Sequence, residues 1–149
     1  MKVVGITGGI ASGNEGDTES WNGSAWTEVN DVNTGKFYRG NNGTQTAGLL
    51  IGGAPATTDT EEWNGSAWTQ KGSDLDGEAA ADGFGDSVAI SGDGNTVAAG
   101  SMSNDPTGGV QNNGHVRVYN WNGSNWAQKG QDIDGSGNND KIGAHISMS

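Results

Sequence analysis

The chain has 149 residues, of which 31% are hydrophobic, 28 are glycine and none is cysteine; 18 acidic residues against 7 basic ones leave a formal net charge of −11. That charge, with no cluster of Lys or Arg to offset it, argues against nucleic acid or an anionic membrane as partner, and the lack of cysteine excludes disulfides, thiolate metal sites and a thiol nucleophile. Apolar residues nowhere keep helical spacing for three turns and no apolar run reaches membrane-spanning length, so the expected class is all-β.

The opening segment reads as a strand over about 2 to 7, too short and too glycine-rich for the apolar core of a secretory signal. The glycines that follow, Gly8-Gly9-Ile10-Ala11-Ser12-Gly13-Asn14, resemble the start of dephospho-coenzyme A kinases, where a strand leads into a phosphate-cradling loop ending in Lys and Ser or Thr. Here Asn14 and Glu15 stand at those two places, and a carboxylate there repels a triphosphate. A second double glycine, Gly52-Gly53, closes an internal strand in the same way and accounts for Gly8-Gly9 without a nucleotide. A nucleotide-binding kinase fragment is therefore the weakest alternative.

Next comes Trp21-Asn22-Gly23-Ser24-Ala25-Trp26, repeated as Trp63-Asn64-Gly65-Ser66-Ala67-Trp68 and Trp121-Asn122-Gly123-Ser124-Asn125-Trp126; these copies hold all six tryptophans. Asn-Gly between bulky apolar residues signals a tight hairpin, with a loop of two or of four residues; in the four-residue case the indoles face each other across the strands. Asn-Gly-Ser is also a glycosylation acceptor, as is Asn42-Gly43-Thr44, but turn geometry explains the triplets first. A residue repeated once per unit reads as core. The competing use is as sugar-stacking platforms, for which Trp21, Trp63 and Trp121, with Tyr38 and Tyr119, are the candidate ligand-binding residues.

Trp63 follows Trp21 by 42 residues and Trp121 follows Trp63 by 58, near the length of one four-stranded propeller blade. The shorter unit, an apolar strand ending Leu49-Leu50-Ile51-Gly52-Gly53, then a loop and a tryptophan hairpin, resembles a kelch repeat. In the longer unit Asp74-Leu75-Asp76-Gly77 is matched by Asp132-Ile133-Asp134-Gly135, and Gly85-Asp86-Ser87-Val88-Ala89-Ile90-Ser91 by Gly143-Ala144-His145-Ile146-Ser147-Met148-Ser149. With Phe84-Gly85 and the turn Ser91-Gly92-Asp93-Gly94-Asn95, it resembles FG-GAP repeats of integrin-like propellers. These resemblances imply a β-propeller of four-stranded antiparallel blades.

Strands are expected at about 2 to 7, 17 to 22 and 25 to 29, then two complete blades at about 36 to 70 and 85 to 129, and a last strand at about 143 to 148. The chain then divides as one unit, 1–149, with blades at 143–149 plus 1–30, 31–71 and 72–130. Three blades are too few to close a ring. The expected partner is a second copy, giving a six-bladed ring in which each terminal strand completes a neighbour's blade; the rival is that this is an excerpt of a longer propeller.

Two acidic stretches supply oxygen ligands around a glycine, as a Ca²⁺ loop requires: Asp74, Asp76, Glu78 and Asp82, then Asp132, Asp134 and Asp140 with Asn138 and Asn139. FG-GAP-type repeats often bind Ca²⁺ through such loops, although here the third regularly spaced acid is missing and the loop precedes the first strand. Otherwise these are solvated turns and no cofactor is implied. The two histidines, His115 and His145, lie in no nucleophile motif, and no Gly-x-Ser-x-Gly elbow occurs. The expectation is a non-catalytic binding or structural module, extracellular or on a virion surface as its resemblance to bacterial and bacteriophage repeat proteins implies, with a lectin-like module as the alternative.

Overall fold

A computed structural model of the chain describes residues 3–6, 17–33, 40–44, 47–52, 59–79, 82–105 and 112–148. Among these residues all regular structure is β and there is no helix, hence none long and apolar enough to cross a membrane. The strands form three antiparallel sheets. Sheet one holds β1 (Val3–Ile6), β2 (Thr18–Trp21) and β3 (Trp26–Val29) in that order. Sheet two is the meander β4 (Gly40–Thr44), β5 (Ala47–Ile51), β6 (Thr60–Trp63) and β7 (Trp68–Gln70). Sheet three repeats the meander with β8 (Ser87–Ile90), β9 (Thr96–Ser101), β10 (His115–Trp121) and β11 (Trp126–Gln128), and the short β12 (Ile133–Asp134) rejoins β10.

Each Trp-Asn-Gly-Ser-x-Trp stretch closes a hairpin with a four-residue loop. Trp21 pairs with Trp26, Trp63 with Trp68 and Trp121 with Trp126. The positive φ falls on the glycine alone, at 107°, 96° and 98° for Gly23, Gly65 and Gly123. The asparagine instead works through its side chain: Asn64 Oδ1 accepts from the Ser66 amide (3.0 Å), the Ser66 hydroxyl (2.9 Å) and the Ala67 amide (3.1 Å), and Asn22 and Asn122 do the same. The asparagine therefore satisfies loop donors that a tighter turn would leave to water. The facing indoles lie 5.5, 5.5 and 5.3 Å apart, tilted or edge-on as ring quadrupoles favour.

The sheets pack in chain order, and β5 shows why. Its apolar run is buried on both faces, as an inner strand's must be. Leu49 and Ile51 join Leu75, Val88, Val97, Ala99, Tyr119 and Trp126 in one cluster, whereas Leu50, between them, joins Val32, Trp63 and Trp68 in the other. One cluster thus binds sheet two to sheet three. The other binds it to the end of sheet one, with Val29 against it. Each junction also has a polar tie: Trp68 Nε1 donates to Thr18 Oγ1 (3.1 Å), and Trp126 Nε1 to the Lys71 carbonyl (3.1 Å).

Two segments depart from expectation. The chain over 143–148 forms no strand: Gly143 turns at φ +88° much as Gly85 does at φ +91° ahead of β8, but the segment after it pairs with no strand among the described residues. A Cβ on Gly100 would meet the Gly143 carbonyl oxygen at 2.3 Å, so two glycines are needed to seat this segment against β9. The Ile146 amide, which donates to Ser87 Oγ (2.9 Å), and a parallel bridge from Ile142 to Gly114 hold it on its own sheet three. Secondly, the acidic stretch after β11 is not all loop. Lys129 N–H bonds the Val118 carbonyl (2.7 Å), and Ile133 and Asp134 pair with Val116 and His115, continuing the edge of β10.

Candidate functional site

A strongly polar constellation is centred on Arg117, in the middle of β10. Its Nε and Nη2 donate to Asp132 Oδ2 (2.9 and 2.8 Å), Nη2 also reaches Glu78 Oε1 (2.6 Å), and Nη1 donates to the Asp76 carbonyl (3.2 Å). Strand alternation puts Arg117 two residues from His115, on the same face of β10. The loop before β8 brings Glu78, and the step from β11 to β12 brings Asp132. The hydrogen bond from Arg117 holds the Asp132 carboxyl below its ordinary range, and the same bond raises the guanidinium further above neutrality.

His115 is fully buried, and neither ring nitrogen has a hydrogen-bond partner among the described residues. Burial, and then the neighbouring Arg117 charge, push its imidazole below its usual value, so at neutral pH it is uncharged. Phe84 packs edge-on against it, ring centroids 6.0 Å apart. Glu78, His115 and Asp132 have ligand atoms within 4.8 Å of one another, the one such trio among the described residues. One imidazole and two carboxylates are a donor set for a zinc-class cation rather than for Ca²⁺, which takes six to eight oxygens. Arg117 already pairs with both carboxylates, so a metal would have to displace a guanidinium held by four hydrogen bonds.

Of the remaining expected cation ligands, Asp74, Asp82 and Asp140 accept hydrogen bonds from their own loops or neighbours. Asp74 accepts from Gln70 Nε2, Asp82 from the Ala79 amide (3.0 Å) and Asn104 Nδ2 (3.2 Å), and Asp140 from the amides of Ser136 (2.9 Å) and Gly137 (2.8 Å). Asp76 is exposed and contributes its carbonyl to Arg117; Asp134 is exposed on β12. The two acidic stretches, expected as separate loops, meet instead through Glu78 and Asp132 on one arginine. Arg117 and His115 were the missing members: a lone Arg in an alternating strand of a chain with 18 acids is the signal that marks it.

The candidate sugar platforms separate by burial. Trp63 (3% exposed) and Tyr119 (8%) lie in the two clusters, which leaves no ring face for a sugar, and Trp121 packs against the larger cluster. Trp21 is half-buried; its partner Trp26 is 50% exposed. Tyr38 and the glycine-rich stretch Gly8 to Asn14 lie outside the described residues. Compared with protein-family models and with curated proteins, the chain matches none.

Proposed function

We propose that this chain is a non-catalytic β-propeller module, each sheet a blade, that serves as an adhesion or assembly surface outside the cell or on a virion. The observation that carries it is the serial packing: three meander sheets stacked in chain order, with Trp68 and Trp126 each seated on the sheet before. The location rests on the resemblance of its repeats. Against catalysis stands the Arg117 network, in which both carboxylates are spent on an ion pair and no nucleophile is poised. Three blades close a ring most simply as two chains, by packing of end sheets. Negative-stain class averages of the purified chain should show closed six-bladed rings; rods or irregular sheets at every concentration would refute the propeller.

The half-exposed Trp26 beside Trp21 favours one second reading, a glycan-stacking site at the edge of sheet one. Binding on a glycan array that Trp26→Ala abolishes, with the melting temperature held, would establish it. An array blank for the wild type would remove it.

A further inference from the structure

Sheet three ends in a near-copy of the segment that ends sheet two. Trp68-Thr69-Gln70-Lys71-Gly72-Ser73-Asp74-Leu75-Asp76-Gly77 and Trp126-Ala127-Gln128-Lys129-Gly130-Gln131-Asp132-Ile133-Asp134-Gly135 differ only at Thr69/Ala127, Ser73/Gln131 and Leu75/Ile133. Their first halves also fold alike, before Ile133 and Asp134 join β10 as a strand and Leu75 and Asp76 do not. Gln70 Nε2 donates to the Gly72 carbonyl and to Asp74, Gln128 Nε2 to the Gly130 carbonyl and to Asp132, and the two glycines have φ +71° and +82°.

The first copy has a known job: it receives the hairpin Trp121–Trp126. Its Lys71 carbonyl accepts from Trp126 Nε1, and its ammonium, tied to Glu62 at 2.6 Å, stands 5.2 and 5.3 Å from the two indole centroids. Gly72 lies so close to Trp121 that a Cβ would meet the ring at 2.8 Å, and Leu75, in the same cluster as Trp126, is 4% exposed. In the second copy the same places are open. Among the described residues nothing lies within 4 Å of where a Cβ on Gly130 would stand, and Ile133 is 56% exposed.

At the other end of the stack the complementary element is uncovered. Trp68 and Trp126 are 4% and 7% exposed because a preceding sheet receives them; Trp26, their counterpart in the first hairpin, is 50% exposed. We infer that the Lys129–Ile133 segment of one chain is the receiver for the Trp21–Trp26 hairpin of a second copy. The Lys129 carbonyl accepts from Trp26 Nε1, Gly130 lies under Trp21, and Ile133 covers the indole edge. The contact is head to tail, each partner using a different surface, and two chains satisfy both ends at once. Ala25 and Gln131 replace Asn125 and Ser73, so the side-chain bond between those two, 3.0 Å in the internal junction, has no counterpart.

This inference rests on the blade-stacking proposal but is tested apart from it, by complementation in sedimentation velocity with one chain carrying a fluorophore. Trp26→Gln spoils the hairpin and Ile133→Gln the receiver; both side chains are at least half exposed, so the fold is kept and circular dichroism checks it. Gly130→Asn is the second receiver variant: Asn tolerates positive φ and fills the space meant for Trp21. The wild type should associate with concentration, and each variant alone at least about tenfold more weakly, as for loss of an interface anchor. An equimolar mixture of Trp26→Gln with either receiver variant should form mixed pairs, since one junction is then intact. The inference is overturned if the wild type stays monomeric to its solubility limit, if the variants associate like the wild type, or if mixing rescues nothing. Rescue without rings in the microscope would keep the junction and refute the propeller; rings that survive all three variants would do the reverse.

Discussion

Leu75 and Ile133 occupy the same place in two copies of one segment, and the structure assigns them opposite energetic roles within a single chain. Leu75→Ala deletes three carbons at a site 4% exposed, in the cluster that joins sheets two and three. At about 0.8 kcal/mol per buried carbon the transfer loss is about 2.4 kcal/mol. The cavity left between two packed sheets adds to that, within the roughly 2–5 kcal/mol range for such truncations. Ile133→Ala, at 56% exposure, should cost less than about 0.5 kcal/mol in dilute solution. Urea unfolding followed by tryptophan fluorescence measures both; at a slope of about 2 kcal/mol/M, Leu75→Ala should move the midpoint down by about 1–2.5 M while Ile133→Ala leaves it nearly in place. Equal shifts for the two variants would show that Leu75 does not bridge the sheets, and the serial packing would fall with it.

Other perturbations probe the polar site and the C-terminal segment. Because folded His115 binds its proton less readily than the unfolded chain does, the unfolded state carries more protons below about pH 6.5 and stability falls as pH drops through that range. His115→Leu should flatten this slope and cost less than about 1.5 kcal/mol at pH 7, since no hydrogen bond is lost; an unchanged slope in melting against pH would contradict it. Arg117→Met leaves Glu78 and Asp132 facing each other and should cost about 1–3 kcal/mol at pH 7, a deficit that narrows as pH falls through and below the ordinary carboxyl range, where Asp132, held low by Arg117 in the wild type, takes up its proton; a pH-independent deficit would point to lost packing alone. Gly143→Ala combines a φ of +88° with a Cβ aimed 2.4 Å from the His115 carbonyl oxygen. It should lower stability by about 1–3 kcal/mol for the backbone alone and expose residues 143–148 to limited proteolysis; unaltered digestion would show that the segment is not seated by its glycine.

The all-β class and the positions of the tryptophan hairpins were legible because both rest on local chemistry: Asn-Gly between indoles, and apolar runs too short for helices. The outer indole's fate was not. Trp26, Trp68 and Trp126 sit in almost the same local sequence, and only the presence of a preceding sheet decides which is buried. The meeting of the two acidic stretches was illegible for a similar reason. A carboxylate count along the chain cannot show that Glu78 and Asp132, 54 residues apart, share Arg117. The expected final strand at 143 to 148 followed from its match to the start of β8; Gly85 and Gly143 do turn alike, at φ +91° and +88°, but β8 has β9 to pair with and the last segment has no strand partner among the described residues, which no local match can show.

The double burial of β5 sets the order in which the molecule opens. Hydrogen exchange should therefore be slowest at the amides of Leu49, Leu50 and Ile51, in the interior of the chain, and quicken outwards to sheet one and to the segment beyond β11. Thermal opening would peel the outer sheets first and leave sheet two as the last ordered remnant, so a protease would release a fragment from the middle of the sequence.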